Sequence, residues 1–207
     1  MKINLPTNFS KLEDTLNAAE NILTSAVNDS KTLFHTLVVS SFDGNNISSR
    51  VMVLREFNLN DRIMRFHTDY RAPKISHFSE ISTATVLGYD PELKIQIKLQ
   101  GQITPHFNDE ITKLAWDSST PRSKKCYSVK GGSSKEIDDP EAYDINDFEV
   151  EEGYKNFSVL IFNFNSLEFL YLKSSGHRRA IHQWNNSYTS NWSVSYTHLT
   201  LPTTSKV

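Results

Sequence analysis

The chain has 207 residues, of which 38% are hydrophobic and 22% charged, and its formal net charge is −2. These values are typical of one domain with a sizeable core, and the charge implies no general affinity for nucleic acid. A single cysteine excludes an internal disulfide, and no apolar run approaches the roughly 20 residues that cross a bilayer. The first residues lack the apolar core of a secretory signal, so we expect a cytoplasmic protein.

The first predicted element is an amphipathic helix over residues 11–27. Ser10 and Glu13 have the spacing of a capping box, and apolar residues follow at helical intervals. We expect this helix to pack on a sheet in a structural role. A first strand is predicted over residues 33–41, and a hairpin turn over residues 43–45 follows it.

Two strands that carry cations come next. Alternation along residues 50–55 places Arg50 on one face of a strand, together with Met52 and Leu54, and Arg55 on the other. After a polar turn, a second strand is predicted over residues 63–68.

A helix is predicted to start after these strands at Pro73-Lys74, because proline suits the first helical position. Cations on two strands and a lysine at a helix start form a candidate site for an anion such as a phosphate. On the residues alone, arginines that simply face water remain the competing interpretation.

The clearest strand signal lies in residues 93–100, after a β-rich run over residues 83–89 and a turn at Asp90-Pro91. Leucines and isoleucines alternate there with lysines and glutamines, so one face enters the core. The other face, which carries Gln96, meets either water or a ligand.

A helix capped by Asn108 is predicted to run to about residue 118, with Ile111, Leu114 and Ala115 on its buried side. Arg122 and Lys124 then form part of a cationic cluster that could equally be a solvated loop. Residues 128–152 are expected to form a long loop.

Two strands over residues 157–164 and 167–173, joined by a tight turn at Asn165-Ser166, are predicted near the end. Arg178 and Arg179 follow beside a histidine in a turn and form a second candidate anion site. Residues 194–207 look like a sequencing adapter translated in frame. We expect this tail to be non-native and the natural C-terminus to be missing.

Several common sites are absent from the sequence. It contains no GxGxxG or P-loop motif, no HExxH zinc motif and no GxSxG elbow, so no metal site is predicted. A phosphate would therefore be held by side-chain cations on strands.

Four motifs in order resemble a known family: R-V-M-V-L-R at 50–55, R-F-H-T-D-x-R-x-P-K at 65–74, Y-D-P-E-L-K-I-Q-I-K-L-Q-G at 89–101 and H-R-R-A at 177–180. Together they are similar to the FMN-binding split-barrel family typified by pyridoxamine 5′-phosphate oxidase, over roughly residues 9–192. The resemblance is closest to members without an assigned substrate.

The resemblance implies a mainly β fold with flanking helices, an FMN-binding split β-barrel that occupies residues 1–193 as a single domain. It implies that the FMN phosphate meets Arg50 and Lys74, while Gln96 hydrogen-bonds the flavin. The residues at or within the matching cofactor motifs are Arg50, Val51, Met52, Val53, Arg55, His67, Thr68, Lys74 and Gln96. The flavin would carry out the redox chemistry, and the protein would position it.

The resemblance also implies a homodimer with FMN between the subunits, with Arg50 and Gln96 from one chain and the turn at residues 177–179 as a candidate contribution from the other. A small barrel is filled by its own side chains, so the cofactor must lie on an outer surface that a second subunit can cover.

The substrate side departs from the biosynthetic enzyme. Arg55 stands where that enzyme has lysine, and Trp116, Thr120 and Lys124 stand in the region of its tyrosine–arginine–serine phosphate clamp. No catalytic residue is assigned, and the candidate substrate residues are Arg122, Lys124, Arg178 and Arg179. Three interpretations stay open: an FMN-dependent oxidoreductase acting on an unidentified small molecule, the vitamin B6 oxidase itself, and a flavin-binding protein without turnover.

Overall fold

A computed structural model of the chain describes residues 5–6, 8–129, 131–132, 136–139, 141 and 150–194. Its strands, in chain order, are β1 (Thr36–Phe42), β2 (Ile47–Asn58), β3 (Ile63–Asp69), β4 (Thr83–Asp90), β5 (Ile95–His106), β6 (Phe157–Tyr171), β7 (Arg178–Trp184) and β8 (Tyr188–Ser193). The α-helices are α1 (Leu12–Asn28), α2 (Lys74–Glu80), α3 (Glu110–Asp117) and α4 (Pro121–Lys125). Short 3₁₀ helices cover Leu33–His35 and Val150–Asn156.

Six antiparallel strands close into a barrel in the order β3-β2-β1-β4-β5-β6, because β3 also pairs with β6. The first half of β6 pairs with β3, from Asp69 opposite Phe157 to Ile63 opposite Asn163. Its second half pairs with β7, which continues into β8 as a sheet outside the barrel. The predicted mainly β split-barrel fold is therefore confirmed.

A bulge lets β5 follow β6 along its whole length. The β5–β6 register shifts between Gln100 and Gly101. A Cβ at Gly101 would lie 2.0 Å from the carbonyl oxygen of Asn163, so only glycine permits this close approach. The predicted turn at Asn165-Ser166 is wrong, because β6 is one continuous strand and the bulge absorbs the irregularity.

Alternation along β5 builds the barrel core, as predicted. Ile95, Ile97 and Leu99 are each 1% exposed, while Gln96 and Lys98 lie half-buried on the outside of the barrel. The same parity holds along β6, where Leu167 and Phe169 are buried in this core.

Helix α1 packs on the barrel through a buried face that includes Ala19, Ile22 and Leu23. The predicted Ser10–Glu13 capping box is wrong by one residue, because the Lys11 amide donates to the Asp14 carboxylate at 3.3 Å. Among the described helices, none combines the length and apolarity that a membrane span requires.

Two other sequence predictions shift in the structure. Residues 33–35 form a 3₁₀ turn, so the first strand begins at Thr36. Helix α3 is capped by Asp109, whose Oδ1 accepts from the Thr112 amide, whereas Asn108 has a left-handed φ of 52°. The buried side of α3 is formed by Thr112, Ala115 and Trp116, while Leu114 is exposed.

Most of the predicted loop over residues 128–152 and all of the predicted tail beyond Val194 lie outside the described residues. The expectations for them stay predictions.

Candidate functional site

Arg50 is anchored at the end of the barrel next to α2. Its guanidinium donates to Ser41 Oγ and Ser48 Oγ, each at 2.8 Å, and lies 5.6 Å from the ring centroid of Phe78 on α2. Serine hydroxyls and an aromatic ring orient the guanidinium without neutralising it. The positive charge of Arg50 therefore stays available to a ligand.

Lys74 lies beside Arg50 at the first position of α2, and its Nζ donates to Thr68 Oγ1 at 3.2 Å. Burial lowers the pKa of Lys74, and the positive charge of Arg50 lowers it further. Burial also lowers the pKa of Arg50. The charge of Asp69 partly offsets the lowering at Lys74, and that of Asp43 the lowering at Arg50, but Asp69 is itself bound to Arg71 at 2.7 Å. We call Arg50, Thr68 and Lys74 the Arg50–Lys74 cluster.

This cluster has the properties of a phosphate site. Two partly buried cations repel each other, and neither has an ion-pair partner among the described residues. Keeping such charges partly desolvated is unfavourable unless an anion offsets the repulsion. Arginine and lysine are the side chains that bind phosphate most strongly, so the cluster fits the phosphate of FMN.

A second group of polar side chains lies on the outside of the barrel around Arg55. Its Nη2 lies 3.4 Å from Ser123 Oγ on α4, and its buried Nε has no hydrogen-bond partner in the described part of the chain. Tyr127 is nearby, and burial raises the pKa of its phenol, partly offset by Arg55. Lys124 lies 5.4 Å from the ring centroid of Trp116. Arg55, His67, Ser123, Lys124 and Tyr127 are called the Arg55 cluster below.

Within the Arg55 cluster, His67 is the residue whose pKa is lowered. Burial, together with the charges of Arg65 and Arg55, lowers its pKa to about 3, so its imidazole is neutral at pH 7. The ring lies edge-on to Phe157, with centroids 4.9 Å apart. Neither ring nitrogen has a partner within the described ranges. His67 can therefore donate one hydrogen bond and accept another.

A charged triad lies next to Gln96 on the outside of the barrel. Glu168 accepts from Lys98 at 2.9 Å and from Arg179 at 2.7 Å. Burial alone would raise the pKa of Glu168, but these two hydrogen bonds hold it below its usual value. The triad fixes Arg179 on the same face as Gln96, since Leu170 pairs with both residues.

The structure thus distributes the predicted site residues over three places. Arg50, Thr68 and Lys74 come together at the barrel end; Arg55 and His67 join Lys124 on one outer surface; Gln96 and Arg179 share another. The side chain of Met52 is buried in the core, whereas Val51 and Val53 face outward. Arg122 and Arg178 are exposed and belong to none of these groups.

Sequence reasoning missed the residues that orient the predicted ones. Ser41 and Ser48 flank the predicted hairpin, and this symmetry about the turn could have indicated that both reach Arg50. Glu168 is the only acidic residue in β6, and it lies directly opposite Lys98 on β5. This pairing of opposite charges could have indicated an ion pair. Phe78 and Ser123 carry no such signal, because their contacts depend on how helices pack.

Residues 17–106, from α1 to the end of β5, match the family model described as "Pyridoxamine 5'-phosphate oxidase, FMN-binding domain". Over this segment the chain is similar to the FMN-binding domain of pyridoxamine 5′-phosphate oxidase. The predicted family resemblance is confirmed, and FMN is the cofactor. The FMN-binding domain contains the whole Arg50–Lys74 cluster and Gln96. Among curated proteins, none matches the chain significantly.

Solved structures with the same fold extend the similarity beyond the FMN-binding domain. A pyridoxamine 5′-phosphate oxidase-related, FMN-binding protein from Nostoc punctiforme aligns with a TM-score of 0.72 at 18% identity, over 86% of this chain and 96% of that one. PhzG from Burkholderia lata, in complex with tetrahydrophenazine-1-carboxylic acid, aligns with a TM-score of 0.71 at 20% identity, over 92% and 99%. At such identities the likeness establishes the fold alone.

Replacing Arg50 by alanine should weaken FMN binding by about 1.5–3 kcal/mol, because a charged hydrogen bond to phosphate is lost. Flavin fluorescence quenching on titration with protein measures this affinity. Arg62→Ala, which removes an exposed arginine from the β2–β3 turn, is the matched control and should leave binding unchanged. Equal affinities for the Arg50 variant and the parent would remove Arg50 from the site.

FMN affinity should fall with rising pH above neutrality. A bound phosphate raises the pKa of Lys74 above its lowered value in the free protein, so affinity is complete below the free pKa. Affinity is then lost, by at most about tenfold per pH unit, as pH rises through the interval between the two pKa values. The same titration from pH 7.5 upward tests this. Lys74→Arg should flatten the dependence, because arginine stays charged. An unchanged slope in that variant would assign the titration to another group.

Proposed function

We propose that the protein is an FMN-dependent oxidoreductase that acts on a small molecule. The observation that carries this proposal is the Arg50–Lys74 cluster, two partly buried cations without an ion-pair partner in the described chain, inside a domain whose family binds FMN. When bound, FMN supplies hydride transfer at its ring. The chain supplies the phosphate anchor and, through the Gln96 amide, a side chain able both to donate to and to accept from a flavin edge.

The Arg55 cluster is the proposed substrate surface. It offers the cations Arg55 and Lys124 and the aromatic rings of Trp116 and Tyr127, next to the neutral imidazole of His67, whose two nitrogens are buried and unpartnered among the described residues. These groups suit a flat molecule that is bound through hydrogen bonds and ring contacts.

Vitamin B6 oxidation is the less favoured function. In the region of the family's phosphate clamp, Thr120 caps α4 by accepting from the Ser123 amide at 3.3 Å, and the Lys124 ammonium lies over Trp116. These contacts engage all three side chains in the clamp region, Trp116, Thr120 and Lys124. A flavin carrier without turnover is the remaining alternative, and the cytoplasmic location expected from the sequence stays a prediction.

We also propose a homodimer in which each flavin contacts both subunits. Strand pairing places Arg50 level with Leu99 across β1 and β4, so Leu99 is three strands away, about 14 Å at ordinary strand spacing, and Gln96 lies roughly 10 Å further along β5. Gln96 also faces outward, whereas Arg50 shares the inward parity of Met52. These positions favour a Gln96 from the second subunit, which revises the expectation that both residues come from one chain.

An apolar surface supports this assembly. Val51 is 65% exposed, and it pairs with Val38, which is also exposed on the outside of the barrel. Tyr89, opposite Gln96, extends the same face. Contiguous apolar surface of this kind favours contact with a second protein surface.

Val51→Glu should dissociate the dimer and reduce flavin content together, because it places a charge in the proposed interface. Sedimentation velocity on FMN-loaded protein measures the mass and the bound flavin in one run. Leu114→Glu, which places the same charge on a residue of α3 that is 62% exposed, is the control and should change neither. A parent protein that is monomeric and keeps its flavin at micromolar concentration would refute the shared site.

Turnover should be detectable with reduced substrates but not with pyridoxine 5′-phosphate. Anaerobic bleaching of the flavin absorption by NADH, by NADPH, or by a reduced aromatic carboxylic acid of the kind bound by PhzG would establish an oxidoreductase. Pyridoxal phosphate formation above roughly 10⁴ M⁻¹s⁻¹ would instead establish the B6 oxidase. A flavin that none of these compounds reduces would favour the carrier function.

A further inference from the structure

Arg178 and Arg179 are adjacent in sequence but lie on opposite faces of β7. Arg179 shares the outer face with Gln96 and is bound to Glu168. Arg178 lies on the same face of β7 as Ala180 and His182. His182 Nε2 lies 2.9 Å from Thr15 Oγ1 of α1. Only Arg178 therefore belongs to the face that carries α1, away from the surface proposed for the flavin.

A cavity of about 410 Å³ opens beside the start of β7, where Arg178 meets the approach to α1. Its lining comes from the approach to α1 (Phe9 and Ser10), the β6–β7 turn (His177, with the two arginines after it) and the end of β8 (Trp192 and Ser193). None of these lining residues is acidic. The cavity combines fixed positive charge with an indole ring that is 42% exposed.

The polar groups of the cavity are arranged as donors. Arg178 Nη1 donates to the carbonyls of Gly176 and His177, both at 3.2 Å, and these two hydrogen bonds orient the guanidinium group. Its remaining donors make no hydrogen bond to a described residue. The Lys173 amide donates to His177 Nδ1 at 3.1 Å, so the proton of a neutral His177 lies on Nε2. Both side chains can therefore donate to an anion.

We propose that this cavity binds a small flat organic anion, whose carboxylate or phosphate is held by Arg178 and His177 and whose ring contacts Trp192. A guanidinium fork matches the two oxygens of such a group, and the indole face provides apolar contact for a ring. Arg179 adds little to this charge, because Glu168 offsets it. The site is separate from the Arg50–Lys74 cluster, which lies at the end of the barrel beside α2.

The test uses FMN-saturated, ¹⁵N-labelled protein and three probes: benzoate, benzyl alcohol and inorganic phosphate. The Trp192 indole resonance, assigned with Trp192→Phe, reports binding. Benzoate should shift it saturably, and the alcohol and phosphate should bind at least about tenfold more weakly, since each lacks one half of the recognised group. Arg178→Gln should weaken benzoate binding by about tenfold and Arg178→Lys by less, while Arg62→Gln should have no effect.

Four results would overturn the proposal. They are equal responses to benzoate and benzyl alcohol, phosphate binding as tight as that of benzoate, an unchanged benzoate affinity in a folded Arg178→Gln protein, and a flavin absorption change that parallels the Trp192 shift. The last would place benzoate at the flavin. If Arg178→Gln lowers the melting temperature, Arg178→Lys keeps the charge and Trp192→Leu, read by calorimetry, tests the ring contact instead.

Discussion

The pairing of β6 with two different strands determines the rest of the structure. Its first half closes the barrel against β3, and its second half leaves the barrel with β7, while β5 follows both halves because Gly101 permits a bulge against Asn163. Closure gives every strand an inside and an outside. It therefore decides that Arg50 and Thr68 have inward parity, whereas Gln96, Arg55 and His67 lie outside.

Charge pairing distinguishes structural cations from those available to a ligand. Arg71 is bound to Asp69, Arg65 to Glu56, and Lys98 and Arg179 to Glu168, so these charges are satisfied within the chain. Arg50 and Lys74 are partly buried, the charge of Arg50 lowers the pKa of Lys74, and neither forms an ion pair with a described residue. Two neighbouring, partly buried cations without such a partner favour an external anion as their partner.

Local sequence patterns predicted local structure, but they could not predict the pairing of residues that are far apart in the sequence. Alternation gave the buried face of β5, and Asp43 with Gly44 gave the first hairpin, because both signals depend on adjacent residues. The turn assigned to Asn165-Ser166 failed, since the pattern cannot reveal that Gly101, sixty residues away, absorbs the irregularity. Four ordered motifs identified the family, but they could not show that Arg50 and Gln96 lie on different sides of the barrel wall.

The two most perturbed histidines explain why the Arg55 cluster differs from the phosphate anchor. Burial lowers the pKa of His182 to about 4. Thr15, Tyr188 and Ser190 satisfy its ring nitrogens by hydrogen bonds, so its role is structural. His67 has a pKa of about 3 and no partner among the described residues. At neutral pH it adds hydrogen-bonding capacity but no charge beside Arg55. The Arg55 cluster therefore contains hydrogen-bonding groups that the described residues leave unsatisfied, whereas the network around His182 is complete.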